Sequence, residues 1–347
     1  MADNRYDLNA VLAAYPADCR PIGAAPEPIV GGFSGSKIWR LETARGPLCL
    51  RRWPAEHPKA DHLRWIHGVL RGAVQRGFAL LPLPLVDRAG QTFVERENHL
   101  WELSPWLGGE PPKIEPPHDA VLPDRVKAAG TALALFHRAV CSEPANLREV
   151  GSARGILARL FSTKLLRFEL QLFNEDIDRC RNRWPELADR ALLLLQYVAQ
   201  VAPHMEQSLK NALRFDVLHW PCIRDIHRDH VLFVGSEVTG LIDFGAMQAD
   251  SVACDVARLL GSMAGDNQAL WQCGLSAYEA VRPLSTDDAP LVRAYDESGV
   301  LLSGINWIRW AFYQNRQFDD RAGVLRRFDE ITCRLANLAS RKSSQTV

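Results

Sequence analysis

The chain is mostly strand-patterned before about residue 104 and mostly helix-patterned after it, and that division bounds the folds open to it. Before it, short apolar runs alternate with turn residues. "PIVGGFSGSKIWRLE" predicts a strand, a Gly/Ser turn and a second strand, and "PLCLRRW" a third after the turn "ARGP". From His57 to Phe78 the pattern is helical, with Leu63, Ile66, Leu70 and Val74 on one stripe and Gly77 near the end. "LLPLPLVD" and "QTFVERENHLWELS", joined by "RAG", predict two further strands. After "WLGGEPPKIEPP" the chain turns helical. Asp124 is placed to cap a helix reaching about Val140, and Gly155 to Leu213 is helical, broken at Pro185 and Pro203. The exception is "VLFVGSEVTGLID", a hairpin around Gly235-Ser236-Glu237, after which helices run from about Ser251 to about Ser340.

A chain of 347 residues exceeds the usual single core. The expectation is an N-terminal lobe over 1–103, a helical lobe over 104–340 and a disordered tail over 341–347. Apolar residues make up 47% and charged residues 24%, which is the balance of a folded globular protein. The 41 basic and 41 acidic residues cancel, so no attraction to nucleic acid or to an anionic membrane follows from net charge. The first residues are charged and no apolar run reaches bilayer length, so a cytoplasmic protein is expected. The eight cysteines show no paired spacing that would build a zinc site and no base at motif spacing that would activate a nucleophile.

Four local features follow one another in an order that suggests ATP-dependent phosphotransfer. The first is Val30-Gly31-Gly32-Phe33-Ser34-Gly35-Ser36 between two strands, where small residues let backbone N–H groups approach phosphate oxygens. Arg51 on the next strand is placed to pair with the α and β phosphates, with Arg52 on the opposite face. The third is "RDIHRDHVLF", which offers two aspartates, Asp225 and Asp229, as the catalytic carboxylate. The fourth is Ile242-Asp243-Phe244-Gly245, an aspartate leaving a strand as a hard oxygen ligand for Mg²⁺. In a kinase-like layout a second metal ligand stands five residues after the catalytic aspartate. Five after Asp225 is His230, whereas five after Asp229 is the apolar Val234.

The stretch "CIRDIHRDHVLFVGSEVTGLIDFGAMQADSVACDVARLL" resembles the aminoglycoside phosphotransferase and choline kinase-like superfamily, whose loop reads H-G-D-x-x-x-x-N-V-L, then a hairpin, I-D-[FW]-G and a D-[LI]-A helix. The resemblance covers about residues 25 to 262 and includes "GGFSGSKIWRL", "LCLRRW", "WELSPWLGG" and "GTALALFHRA". It implies an α+β, bilobal protein kinase-like fold, with a small antiparallel-sheet N-terminal lobe carrying one helix and a larger, mainly helical C-terminal lobe. It also implies Asp225 as the catalytic base, Asp243 and His230 at the metal, and Asp255 as a structural aspartate. Gly32, Ser34, Gly35, Ser36 and Arg51 would hold the triphosphate, and the backbone around Glu102, Ser104 and Trp106 the adenine. The implied cofactors are ATP and Mg²⁺, with Mn²⁺ as an alternative, and the partner is a small hydroxylated acceptor.

Three positions depart from the pattern. Ile223 replaces the loop histidine, His230 replaces the asparagine, and no Glu occurs between Glu56 and Glu95 to pair with Arg51, leaving Asp61 or Glu56. Imidazole is a poor ligand for Mg²⁺. One metal therefore suffices, or a softer ion is used, or the protein is a catalytically impaired, pseudokinase-like nucleotide binder. Trp307, Trp310 and Tyr313 at helical spacing read as a core stripe before an aromatic acceptor wall, His137 as a core histidine, Asp229 as a solvated loop acid and Asp250 as a helix N-cap.

Overall fold

The computed structural model describes residues 8–23, 26–29, 35–112, 120–141, 149–314, 316, 318 and 320–343. Gly32 and Ser34 of the glycine-rich turn lie outside them. In chain order the elements are α1 (Leu8–Leu12), β1 (Pro28–Ile29), β2 (Lys37–Thr43), β3 (Gly46–Arg52), α2 (Ala60–Gln75), β4 (Val94–Arg96), β5 (His99–Pro105) and α3 (Leu122–Val140). There follow β6 (Val150–Ser152), α4 (Arg154–Cys180), α5 (Pro185–Ala212), β7 (Asp216–Leu218), β8 (Trp220–Cys222), β9 (Val231–Val234), β10 (Glu237–Leu241) and β11 (Gln248–Asp250). The chain closes with α6 (Ala253–Ala264), α7 (Gln268–Glu279), α8 (Asp288–Ile308) and α9 (Arg321–Ser343). Of the expected tail, residues 341–343 complete α9 and 344–347 lie outside the described residues. An antiparallel N-terminal sheet and a mainly helical remainder make this a mixed α and β protein of protein kinase-like fold.

One compact unit comprises Met1–Glu143, Ile223–Gln248 and Ser276–Arg282. Its antiparallel sheet has the order β1-β2-β3-β5-β4. Strand alternation decides its two faces. Trp39, Leu41, Leu48, Leu50, Trp101 and Leu103 point one way into a core closed by Val11, Leu12 and Tyr15, with Trp39 stacked on Trp101 at 5.5 Å between centroids. Each such buried side chain contributes about 1.5–3 kcal/mol. Arg51, Glu102 and Ser104 occupy the alternate positions. The predicted hairpin is present as β9 and β10, with a register shift between Val238 and Gly240. It is tied to the segment after β5, because Glu110 and Phe233 exchange both backbone hydrogen bonds, at 3.0 and 2.9 Å. The buried His137 contacts the Tyr278 hydroxyl through Nδ1 at 2.8 Å, as a core histidine should.

The other unit comprises Pro144–Cys222, Ala249–Leu275 and Pro283–Val347. In it α5 packs against α4, α8 and α9, and α6 against α8. Trp307 is buried against Trp310, Phe318 and Phe328. The aromatic stripe does not continue to Tyr313, which is 70% exposed, because Arg309–Tyr313 form a π-helical turn that shifts the phase.

Several local expectations are corrected. "LLPLPLVD" forms no strand: Pro82 and Pro84 lack N–H groups, and the segment runs beside β5 with Leu85 donating to the Leu103 carbonyl at 2.7 Å. "QTFVERENHLWELS" is two strands, because Glu97 and Asn98 adopt φ of 53° and 59° and turn the chain. Pro203 does not break its helix. Val198, Val201, Met205 and Leu209 are buried on either side of it, and their packing offsets the missing hydrogen bond. Asp124 lies in the first turn of α3 rather than at its cap. Asp250 accepts from Gly155 N at 2.9 Å, in the first turn of α4, while Ser251 Oγ accepts from Ala253 N at the start of α6. All eight cysteines are free, with only Cys19, Cys222 and Cys254 buried. Among the described residues no helix is long and apolar enough to cross a membrane.

Gly109 has φ of 103°, and a Cβ there would stand 2.9 Å from the Phe233 carbonyl oxygen. Gly109→Ala is therefore expected to cost about 1–3 kcal/mol, read as a lowered urea midpoint. An unchanged midpoint would show that the junction between the post-β5 segment and the hairpin is not under this constraint.

Candidate active site

Arg51 is the centre of a buried charge cluster. Because β3 and β5 are antiparallel with Arg51 opposite Glu102, the two side chains emerge on the same face, their charged atoms 3.9 Å apart. The guanidinium also donates to Asp243 Oδ1 at 2.8 Å. From α2, His67 reaches Glu102 Oε2 through Nε2 at 2.9 Å and Thr92 Oγ1 through Nδ1 at 2.7 Å. The acid partner of Arg51 is therefore not Asp61 or Glu56. Asp61 pairs with Arg64 and is 99% exposed, and Glu102 supplies the charge from the neighbouring strand. The helix contributes an imidazole that holds the carboxylate.

The titration shifts follow from this packing. Burial alone would push the Glu102 carboxyl up, but the His67 hydrogen bond and the Arg51 charge outweigh it and hold it below the usual range. Asp243 behaves likewise: burial opposes ionisation, while Arg51, His230 and the Gly245 N–H favour it and prevail. Burial works against the Arg51 charge too, but Asp243 and Glu102 raise its pKa further. Burial pushes the Cys49 thiol, beside them, up to about 11.

The loop carrying Asp225 is pinned by Ile223 and Ile226, both fully buried. Arg224 adopts φ of 66°, at the position where the pattern H-G-D has glycine, and its guanidinium donates to Gln248 Oε1. A tight turn over Arg228–His230 follows, in which His230 N donates to the His227 carbonyl at 2.8 Å. His230 bonds the Asp225 carbonyl through Nδ1 at 2.8 Å and turns Nε2 toward Asp243 Oδ2, 3.6 Å away. Burial and the adjacent His227 lower the pKa of His230 against the opposing pull of Asp243 and Asp225. Asp229 is 60% exposed and paired with His227 and Arg228, a solvated loop acid as expected. Asp243 itself has φ of 64°. Such backbone costs about 1–3 kcal/mol and is typical of functional sites. After it, Phe244 packs on Phe136 at 5.7 Å, and Gly245 leaves room for the Trp53 ring, which lies 4.6 Å from the Arg51 guanidinium.

A cavity of about 380 Å³ opens on this cluster, lined among others by Ile38, Leu63, Glu102, Ser104, Trp106 and Asp243. That is the size of a small-ligand pocket. Ser36 is buried beside the strand it opens, and Gly35 has φ of 78°. Along the segment expected to meet adenine, the Leu103 carbonyl is taken by Leu85 and the Trp106 N–H by Pro47. One carboxylate and one imidazole, from Asp243 and His230, face each other at 3.6 Å and could each offer a donor to a metal. This mixed set suits Mn²⁺ better than Mg²⁺.

Sequence reasoning missed His67 and Trp53, and read Glu102 only as backbone. His67 had a signal, being a polar residue four after Leu63 on the apolar stripe of α2. Trp53 and the Glu102 carboxylate had none, since cross-strand register is not written in either strand alone. With folded-state pKa values depressed, Glu102 and Asp243 contribute stability above about pH 4 that is lost as pH falls through their folded values. Glu102→Gln should flatten the fall in urea midpoint between pH 7 and pH 3. A slope equal to that of the unsubstituted protein would reject the cluster.

A sequence profile described as the phosphotransferase enzyme family matches residues 26–284. The homoserine kinase of Afipia carboxidovorans is 28% identical over 254 residues, covering 71% of this chain and 67% of that one. Among solved structures, an amicoumacin kinase in complex with AMP-PNP and Ca²⁺ superposes with a TM-score of 0.63 at 14% identity, over 94% of each chain. An aminoglycoside phosphotransferase from Alicyclobacillus acidocaldarius gives 0.58 at 17%, over 98% of this chain and 96% of that one. The profile spans most of the sequence and includes every residue of the cluster just described, so the chain belongs to the phosphotransferase enzyme family.

Proposed function

We propose that this protein transfers the γ-phosphoryl group of ATP to a hydroxyl of a small molecule, with Asp225 as base. The Arg51–Asp243 pair at 2.8 Å supports this reading most, because it brings the strand cation and the aspartate after the hairpin together from positions far apart in sequence. On binding, the triphosphate would compete with Asp243 and Glu102 for Arg51 and draw on the backbone of Gly32, Ser34, Gly35 and Ser36. Ser104 and its neighbours would border the adenine. Asp243 and His230 would hold the divalent metal, which supplies neutralising charge at the phosphates. Asp225 would accept the acceptor's hydroxyl proton as the oxygen attacks. In this reading residues 1–103 are the nucleotide-binding lobe, and 104–340 carry the catalytic loop and the acceptor site.

The acceptor we infer is a small amino alcohol of the homoserine class, on the strength of the relative's activity as named. ADP release should be measured against homoserine, other amino alcohols, sugars and aminoglycosides, with Mg²⁺ and with Mn²⁺. Activity on homoserine-class acceptors and a preference for Mn²⁺ are expected. Turnover confined to aminoglycosides would reject the acceptor, and ADP release with none would reject the reaction. Asp225→Asn should lower kcat at least about a hundredfold while nucleotide-induced thermal stabilisation persists. Unchanged turnover would remove Asp225 from the role of base.

A further inference from the structure

Phosphoryl transfer as described gives His227 no task, yet the loop holds it tightly beside His230 and the proposed base. The two imidazole rings lie 3.9 Å apart between centroids at 40°. One nitrogen from each ring and one carboxylate oxygen of Asp225 all lie within 4.8 Å of one another. Both histidines remain accessible, at 20% and 15% side-chain exposure. Nδ1 of each ring is engaged inside the loop: that of His230 with the Asp225 carbonyl at 2.8 Å, that of His227 with Asp229, whose backbone N–H and carboxylate each lie 3.4 Å away. A carbonyl or a carboxylate at the second ring nitrogen is what orients metal-bound imidazoles.

We propose that Asp225, His227 and His230 form a binding site for a borderline divalent cation of the Zn²⁺ class, which shares His230 with the phosphate-associated metal and differs from it in using His227 and Asp225, and that the ion inhibits transfer by occupying the base. Two imidazoles and a carboxylate match the three-ligand sets that hold Zn²⁺ with a fourth position open. Mg²⁺ keeps to oxygen and does not compete strongly for nitrogen. A carboxylate bound to a dication cannot also accept a hydroxyl proton, so occupancy stops the reaction. That consequence rests on the reading of Asp225 as base; the binding does not.

The test uses the full chain, freed of metal and held in excess Mg²⁺ without nucleotide. Titration with Zn²⁺ by calorimetry should give one ion per chain, and Co²⁺ should develop the visible d–d bands of a low-coordinate, nitrogen-ligated ion. His227→Gln and His230→Asn, each checked for native circular dichroism, should weaken binding at least about tenfold and abolish the bands. Zn²⁺ should inhibit ADP release by the unsubstituted protein and a zinc-selective chelator restore it, while His227→Gln turns over normally and resists Zn²⁺. Equal Zn²⁺ affinity in both variants, or no binding in excess Mg²⁺, overturns the site. Binding without inhibition overturns the inhibitory role. Should no acceptor support turnover, calorimetry and the Co²⁺ spectrum still decide the site, and the failure belongs to the proposed reaction.

Discussion

A buried guanidinium must be met by carboxylates, and the site is organised around that requirement at Arg51. Side-chain exposure is 12% at Arg51, and an isolated charge at that depth would cost several kcal/mol. Glu102 answers from the adjacent strand and Asp243 from the end of the hairpin. Each is itself sheltered, so each needs the cation in turn. His67 and Thr92 complete the set by fixing the side of Glu102 away from Arg51. The cluster thus joins the sheet, α2 and the hairpin through charge rather than through apolar packing.

That arrangement replaces the pairing expected for such folds, a strand cation with an acid on the lobe helix. Here the acid has moved to β5 and the helix carries a histidine. The cation can keep its position only because the strand register brings Arg51 and Glu102 opposite one another. Trp53 stacks over the guanidinium and against Gly245, so the residue after Phe244 has little freedom to grow a side chain. The backbone at Asp243 and at Arg224 is left-handed, and the packed residues around them, Ile223, Ile226 and Phe244, hold it there.

Much of this was legible in the sequence where a local rule governs it. The hairpin, the helix stripe of α2 and the strands β2 and β3 follow from periodicity and turn residues over a few positions. The spacing from Asp225 to His230 and Asp243 is likewise local, and the loop and hairpin bring His230 and Asp243 together. Reading failed where neighbours in space decide. Prolines at 82 and 84 removed a strand that apolar content suggested, and core contacts on both sides kept α5 continuous through Pro203.

The sequence by itself determined most of the order of strands and helices and the family pattern, because these depend on side-chain type and on spacing within one turn or one strand. Only the tertiary structure decided which acid meets Arg51, that His67 supports it, and that His227 and His230 stack beside Asp225. Those outcomes depend on register between strands and on the path of the loop. Both are fixed by hydrogen bonding and burial among segments distant in sequence.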